Sequence, residues 1–371
     1  MHPFLQQLLQ GQAVEWKTLG EVANLNRGRV MSKTYLADNI GEYPVYSSQT
    51  ANNGEIGKIN TFDFEGEFIT WTTDGANTGT VFYRNEKFSI TNVCGLITLK
   101  YDYLTYKFLF YWLSIQAKKH VYSGMGNPKL MSNQMEKIQI PIPPLSVQSQ
   151  IVQILDTFTE LTAELTAELS MRQKQYQYYR DFLLSEHELA KVGFEWKSLG
   201  ELGIINRGKR VIKNQLTTEG SYPVYQNSLQ PLGYFDKFNV KANTTFMITA
   251  GAAGEIGYSN CAFWSADDCY YFDCPKDVLD NRFLYHSLKK QQNKIFSQVR
   301  KASIPRLGRN SVENIKIPIP SLSVQSQIVA ILDTFDALTQ SISDGLPKEI
   351  QLRQKQYEYY RELLLGFDTQ K

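Results

Sequence analysis

The chain repeats itself, and the repeat limits its architecture more than any single residue does. Residues 138–158 read IQIPIPPLSVQSQIVQILDTF, and residues 315–335 read IKIPIPSLSVQSQIVAILDTF, identical at 18 of 21 paired positions at an offset of 177. RQKQYQYYR at 172–180 returns as RQKQYEYYR at 353–361, and EWKTLGE at 15–21 returns as EWKSLGE at 195–201. The stretches between, roughly 47–137 against 226–314, share no comparable run. A closely copied frame around unlike inserts implies two like sockets carrying two unlike readers. At 371 residues the chain is long enough for two domains with ordinary cores.

Each copy opens on a proline hinge, Pro141, Pro143 and Pro144 in the first and Pro318 and Pro320 in the second. Proline holds the backbone extended and is tolerated just before a helix. Ser146 and Ser323 are the expected N-caps. Apolar residues then recur at steps of three and four through Ile151, Leu155, Phe158, Leu165, Leu169, Tyr176, Tyr179 and Leu183, a coiled-coil-like seam predicting a helix over about 146–186. Forty residues at 1.5 Å each span roughly 60 Å, too long for the inside of a small domain. The second copy follows the same seam through Ile328, Leu332, Phe335, Leu338, Ile342, Tyr357, Tyr360 and Leu364. Its offset rises by four residues, and Asp344-Gly345-Leu346-Pro347 predicts a kink or short break. The inserts mix strand-like runs (67–72, 95–99, 245–249) with helical ones (103–117, 281–292). The predicted fold class is α+β: two globular α/β domains separated by two long antiparallel coiled-coil helices in a pseudo-twofold internal repeat. The chain's start and end resemble the junction between its two halves, so the repeat is nearly circular.

Net charge is only +2, but its distribution is uneven. Residues 195–320 carry 17 basic and 11 acidic side chains, whereas 147–194 carry 4 and 7. Positive charge thus gathers in the second insert and avoids the repeated helices. Cys94, Cys261, Cys269 and Cys274 form no CxxC pairs, so reduced, structural cysteines are expected and a zinc site is not. With no signal peptide and no apolar run near the ~20 residues of a membrane span, the expectation is a soluble, cytoplasmic protein.

The motifs of an enzyme are missing. Gly54-Glu55-Ile56-Gly57-Lys58 fails as a phosphate cradle on length and on the final hydroxyl. Asn127-Pro128-Lys129 lacks the second proline and the aromatic of an adenine methyltransferase loop. Glu15-x-Lys17 and Glu195-x-Lys197 match only the last fragment of a nuclease motif, and beside Trp16 and Trp196 they read as structural. Groups suited to nucleic acid are present. Asn26-Arg27-Gly28-Arg29 pairs with Asn206-Arg207-Gly208-Lys209-Arg210, in which arginine can read guanine with two hydrogen bonds and glycine permits close approach. Ser48 and Gln49 pair with Gln226 and Asn227 after a shared Tyr-Pro-Val. Thr73 and Asn77 lie in a loop that matches the one holding Thr249. The loop Gly124–Lys129, with Asn127 and Lys129, precedes the first hinge. Its counterpart 300–306 brings Arg300, Lys301 and Arg306, three cations in seven residues. Each of these loops also reads as ordinary turn chemistry or a solvated basic surface.

The hinge IPIPPLSVQSQIVQILDTF, then a long helix ending RQKQYQYYRDFLL, repeated after a divergent insert, resembles the specificity subunit of type I restriction-modification systems over nearly the whole chain. The resemblance implies four segments. Target-recognition domain 1 would cover 1–145, a conserved spacer helix 146–190, target-recognition domain 2 191–320, and a second spacer helix 321–371. Each target-recognition domain would read half of a bipartite, asymmetric site in double-stranded DNA. The repeated helices would dock two modification (methyltransferase) subunits, with Gln148, Phe158, Arg172, Tyr176, Tyr179, Gln325, Phe335, Arg353, Tyr357 and Tyr360 as docking or spacer residues. Two restriction (translocase and nuclease) subunits would complete the assembly. S-adenosylmethionine, ATP and Mg would bind those partners, and this chain would carry no cofactor, metal or catalytic residue. Two other readings remain open from the residues: a two-domain adaptor or carbohydrate-binding protein on a coiled-coil stalk, and a single-chain enzyme.

Overall fold

A computed structural model describes residues 1–123, 126–340 and 345–367, the side chains of Lys213 and Gln340 aside. Packing gathers the chain into two compact units. Unit 1 is Met1–Glu164 with Gln351–Lys371, and unit 2 is Leu165–Ile350.

In unit 1, the strands β1 (Glu15–Thr18) and β8 (Gln139–Ile142) form a two-stranded antiparallel pair. Between them come β2 (Ala23–Arg27), β3 (Ile40–Tyr46), β4 (Glu55–Ile59), β5 (Phe64–Thr72), β6 (Val81–Ile90) and β7 (Cys94–Leu99), in one sheet of order β2-β7-β5-β6-β3-β4. Only β3 and β6 run parallel. Trp71 on β5 lies directly across from Gly95 on β7. Any side chain at Gly95 would begin 2.2 Å from the Trp71 ring, so the glycine is what lets the indole lie flat in the core. Its helices include α1 (Pro3–Leu9), α2 (Tyr106–Gln116), the first half of α3 (Leu145–Leu183), and the end of the helix closing the chain.

Unit 2 repeats the plan. β9 (Phe194–Ser198) pairs with β17 (Lys316–Pro320), as β1 does with β8. β10 (Ile205–Arg207), β16 (Cys269–Phe272), β13 (Thr244–Ile248) and β14 (Ile256–Ser259) stand in that order, matching β2-β7-β5-β6. β11 (Tyr222–Tyr225) pairs antiparallel with β12 (Gly233–Phe235) and parallel with β15 (Trp264–Ser265). The continuous β6 of unit 1 is therefore two strands, β14 and β15, in unit 2. Its helices include the rest of α3, α4 (Glu186–Ala190), α5 (Asn281–Lys290) and α6 (Leu322–Gln340). The inserts that share no run of sequence share a topology, because the same strands must cover the same frame.

The hinges form as expected, but the N-caps differ. The helices begin at Leu145 and Leu322, so Ser146 and Ser323 fall inside the first turn. Pro144 and Ser321 start the helices, with their carbonyls accepting from the Gln148 and Gln325 N–H at 3.0 Å. The final helix, α7, runs Leu346–Leu364. Of the expected break, Asp344 lies outside the described residues. Gly345 precedes α7, and Leu346-Pro347 fits its first turn, where proline loses no helical hydrogen bond.

The seam stacks aromatic rings in two matching pairs. In unit 1, Phe158 of α3 stacks on Tyr360 of α7 at 5.1 Å and 21°. In unit 2, Tyr179 of α3 stacks on Phe335 of α6 at 5.2 Å and 20°. Under the repeat these are one pair, for Phe158 corresponds to Phe335 and Tyr179 to Tyr360. Each copy's phenylalanine is covered by the other copy's tyrosine. The near-circular repeat also has its counterpart. Leu5 and Leu9 of α1 share one core with Leu363, Leu364, Leu365 and Phe367, whereas in unit 2 the chain runs unbroken through Leu184 and Leu189.

Candidate nucleic-acid interface

Three loops converge in each unit, and matching backbone hydrogen bonds hold the second loop to the third in both. In unit 1, the loop after β3, the β5–β6 loop and the loop 122–129 meet. Ser48 Oγ donates to the Asp74 carbonyl at 2.6 Å. Gly75 N–H donates to Pro128 O at 3.2 Å and Leu130 N–H to Thr73 O at 3.0 Å. Tyr122 and Lys129 exchange backbone bonds at 2.9 and 3.0 Å. In unit 2, Ala252 N–H donates to Asn227 O at 2.9 Å, Gly251 N–H to Pro305 O at 3.1 Å, and Leu307 N–H to Thr249 O at 2.8 Å. Arg300 and Arg306 exchange bonds at 2.9 and 3.2 Å. The bonds between the second and third loops correspond, whereas the first loop is tied by the Ser48 side chain in unit 1 and by the Asn227 carbonyl in unit 2, and the exposed side chains differ. Lys129 stands where Arg306 does, and Tyr122 where Arg300 does.

Arg300 and Arg306 sit opposite each other on an antiparallel bridge, Arg300 exposed and Arg306 at the bridge's far side. Like charges directly across such a bridge repel. Neither they nor exposed Lys301 form an ion pair among the described residues. The loop therefore concentrates positive charge that an anion from outside would relieve. Exposed Lys118, Lys119 and His120 lead directly into the matching loop of unit 1. Sequence reasoning passed over them because they follow a helical run. Their signal was a basic triplet two residues before the loop.

The other sequence-predicted residues divide by burial. Asn77, Asn127 and Lys129 in unit 1 and Arg207, Lys209, Arg210 and Asn227 in unit 2 reach the surface. Gly124 and Met125 of the third loop lie outside the described residues. Thr73 and Thr249 are 0% and 8% exposed, and their hydroxyls donate to Val93 O and Asp268 O at 2.9 Å. Burial corrects their assignment, since they shape the loops from beneath and cannot reach a base. Gln49, half-buried, donates to Glu55 O at 2.6 Å. Gln226 is half-buried as well. Arg29 is held by Asp63 at 3.1 Å and by the Tyr35 hydroxyl at 3.2 Å. Arg27 rests against Met131, just beyond the third loop, and Arg207 Nε donates to Asp267 O at 3.1 Å, beside the Asp268 that holds Thr249. The glycines next to these arginines serve the chain itself. A Cβ at Gly28 would fall 1.9 Å from Ile90 O, and one at Gly208 2.0 Å from Ala266 O. Their close approach is to the neighbouring strand, which corrects the reading of glycines open to a ligand.

Of the docking or spacer residues, Gln148 and Gln325 belong to the frame. Both are fully buried. Gln148 Nε2 donates to Tyr103 O and Pro143 O at 2.8 and 2.9 Å, and its Oε1 accepts from Thr105 N at 2.9 Å. Gln325 repeats this with Val278 O, Pro320 O and Asp280 N at 2.9, 2.8 and 2.8 Å. With every polar atom spent internally, neither can form a docking contact. Tyr176 is buried against His286, whereas Tyr179 and Tyr360 remain 40% and 36% exposed beside their stacked rings. Arg172 pairs with Glu168 at 2.6 Å, and Arg353 donates to Gln356 at 3.0 Å. Glu15 and Lys17 pair with each other at 3.4 Å, and Lys17 also reaches Tyr103.

All four cysteines are free thiols, and burial pushes Cys94, Cys269 and Cys274 up to about 12. Among the described residues no group of His, Cys, Asp and Glu could hold a metal, and no helix is long and apolar enough to cross a membrane.

Residues 13–171 and 191–352 each match the type I restriction modification DNA specificity domain. The chain belongs to the type I specificity-subunit family. A Haemophilus influenzae protein named as a putative type I restriction enzyme specificity subunit is 36% identical, over 98% of both chains. A Mycoplasma pneumoniae protein named as a putative type I specificity subunit is 35% identical, over 93% of this chain and 95% of the other. The specificity subunit of a type I restriction enzyme from Escherichia coli is 33% identical over 98% and 97%. The crystal structure of a type I S subunit from M. genitalium matches the fold at a TM-score of 0.70, with 19% identity over 97% and 98% of the two chains. As a specificity subunit, the chain is the DNA-recognising, non-catalytic component of a complex with other restriction-modification subunits.

Proposed function

We propose that the specificity subunit reads a bipartite, asymmetric DNA site, one half through each three-loop cluster, and docks two modification subunits on its repeated frame. The observation that carries this reading is the loop cluster itself, built twice, with matching backbone bonds between its second and third loops and different exposed side chains. Equal geometry presents two readers to similar duplex segments, and unequal side chains ask for different bases. The frame argues for paired partners. One surface motif present twice accepts two copies of one protein. Two restriction subunits would join through the modification subunits, and S-adenosylmethionine, ATP and Mg would bind those partners. Arg300, Lys301, Arg306 and Lys129 would contact phosphates. Asn77, Asn127, Asn227 and Arg207 would lie nearest the bases.

Methylome sequencing of cells with and without the gene tests the first part. The expected result is one motif, lost on deletion, with two unlike specific halves around a non-specific gap. A palindromic or continuous motif would sink it. Native mass spectrometry of the complex tests the second part, with two modification subunits per chain expected.

A further inference from the structure

Arg84 is a buried cation that the interface described above does not use. It lies on β6, is 2% exposed, and has no carboxylate bound to its guanidinium among the described residues. Its guanidinium carbon sits 3.5 Å from the centroid of the Tyr46 ring and 4.7 Å from that of Phe82. Nε donates to Thr70 Oγ1 at 3.3 Å, Nη2 donates to the Asn53 carbonyl at 2.7 Å, and Nη1 is buried with no hydrogen-bond partner among the described residues. Burying an arginine without an acid is unfavourable, so the position needs a reason beyond packing.

The reason lies in the loop that Arg84 holds. Asn52, Asn53 and Gly54 adopt consecutive left-handed conformations, with φ of 47°, 54° and 87°. A run of three is rare, and for the two asparagines it is unfavourable unless something outside the segment fixes it. Arg84 supplies that fixing bond at the middle residue, the Asn53 carbonyl. The bend returns the chain so that Gly54 O accepts from Ser47 N–H at 3.0 Å and Glu55 O accepts from Gln49 Nε2 at 2.6 Å. Between those two bonds stand Ser48 and Gln49, the first loop of the unit 1 cluster. Unit 2 has no such device among its described residues. The position paired across the sheet in the same way, Phe68 to Arg84 in unit 1 and Thr244 to Ser259 in unit 2, holds a serine there. Tyr225, the counterpart of Tyr46, stacks instead on Phe246 at 4.5 Å.

We propose that Arg84 is a specificity-determining positioning residue of unit 1: it locks the 52–54 bend, and through it sets the Ser48–Gln49 loop against the half-site that unit 1 reads. It touches no base. The inference rests on the DNA-reading function proposed above.

The test is selection from a double-stranded DNA library randomised in both half-sites, using the chain assembled with its modification subunits. Arg84→Met removes all three donors. Arg84→Lys keeps a cation over Tyr46 and one donor. Asn53→Ala leaves Arg84 intact and destabilises the bend from an exposed position, so it carries the test even where Arg84→Met fails to fold. The expected result is a base preference that broadens at one half-site at least several-fold for Arg84→Met and Asn53→Ala, with Arg84→Lys between them and wild type, and the other half-site as sharp as in wild type. Equal weakening for every sequence would reduce Arg84 to a stabiliser of the fold and overturn the inference, as would unchanged preference in the folded variants. A wild-type complex that selects no half-sites at all would overturn the DNA-reading function itself.

Discussion

Single residues show how one frame serves two unlike inserts. Asp156 and Asp333 occupy the same place in the two copies, and each binds two side chains from one helix of its insert. Asp156 accepts from Lys107 and Tyr111 at 2.5 and 2.6 Å; Asp333 accepts from Arg282 at 2.6 Å and lies 2.7 Å from His286 Nε2. Tyr111 and His286 are therefore equivalents with different acid–base behaviour. His286 is fully buried among Tyr176, Tyr285, Arg282, Asp333 and Asp336. Neutral, it satisfies both neighbours, with the Tyr176 hydroxyl donating to Nδ1 at 3.0 Å and Nε2–H donating to Asp333. Burial lowers its pKa below 6.5, and the Asp333 hydrogen bond only partly offsets this. The unfolded chain then binds more protons than the folded one between 6.5 and the folded pKa, so His286 stabilises fully above 6.5 and this stability is lost as pH falls through that window. Thermal unfolding of wild type is expected to shift to lower temperature as the pH is taken from well above 6.5 to well below it, and His286→Tyr, which copies unit 1, is expected to flatten that shift. An equal shift in both would remove His286 as the cause. Gln325 gives a second residue-scale prediction. Gln325→Leu strands the Asp280 N–H and the Val278 and Pro320 carbonyls, at a cost of about 2–3 kcal/mol. Urea denaturation of the variant is expected to show a lowered midpoint, and Gln148→Leu the same for unit 1.

At the scale of elements, periodicity made the long helices legible. Observed bounds Leu145–Leu183 lie within a few residues of the expected 146–186, because an apolar seam is set by sequence alone. The strands Phe64–Thr72, Cys94–Leu99 and Thr244–Ile248 and the helices Tyr106–Gln116 and Asn281–Lys290 were readable for the same reason. The N-caps were not. A serine in the first turn looks like a cap, but here the preceding hinge residue starts the helix while Gln148 or Gln325 bolts it from inside, a long-range bond that no local pattern announces. The tandem Thr162–Leu165 and Thr166–Leu169 gives the helix a removable segment. Deleting Thr166–Leu169 shortens α3 by roughly 6 Å and turns its C-terminal part by about 40° relative to its start. DNA rises about 3.4 Å per step, so the expected outcome is a non-specific gap shorter by one or two base pairs with both half-sites unchanged. Methylome sequencing of the deletion strain measures both at once, and altered half-site bases would refute the spacer role.

For the whole molecule, the duplication was plain in the sequence, but its reach was not. The inserts 47–137 and 226–314 share no run of residues, yet they share strand order and the three-loop cluster, since backbone hydrogen bonds can be kept while side chains change. Positions 73 and 249 looked like contacts because threonines in glycine-rich loops are usually exposed; the third loop folds over them, a fact of tertiary packing. The charge asymmetry survives folding and is now located. Unit 2 presents Arg300, Lys301 and Arg306 on one loop where unit 1 presents Lys129. This difference yields a graded prediction. Each phosphate contact contributes roughly 0.9 to the slope of log affinity against log salt on duplex DNA. Replacing Arg300, Lys301 and Arg306 with glutamine in the assembled complex is therefore expected to flatten the slope by up to about 2.7, and Lys129→Gln by about 0.9. Affinity at low salt is expected to fall in the same order, while base preference holds, because phosphate contacts position the duplex without reading it. The ratio discriminates. Three cations that merely raise the general field of the protein would change the slope little, and a loss confined to one sequence would make them base readers instead.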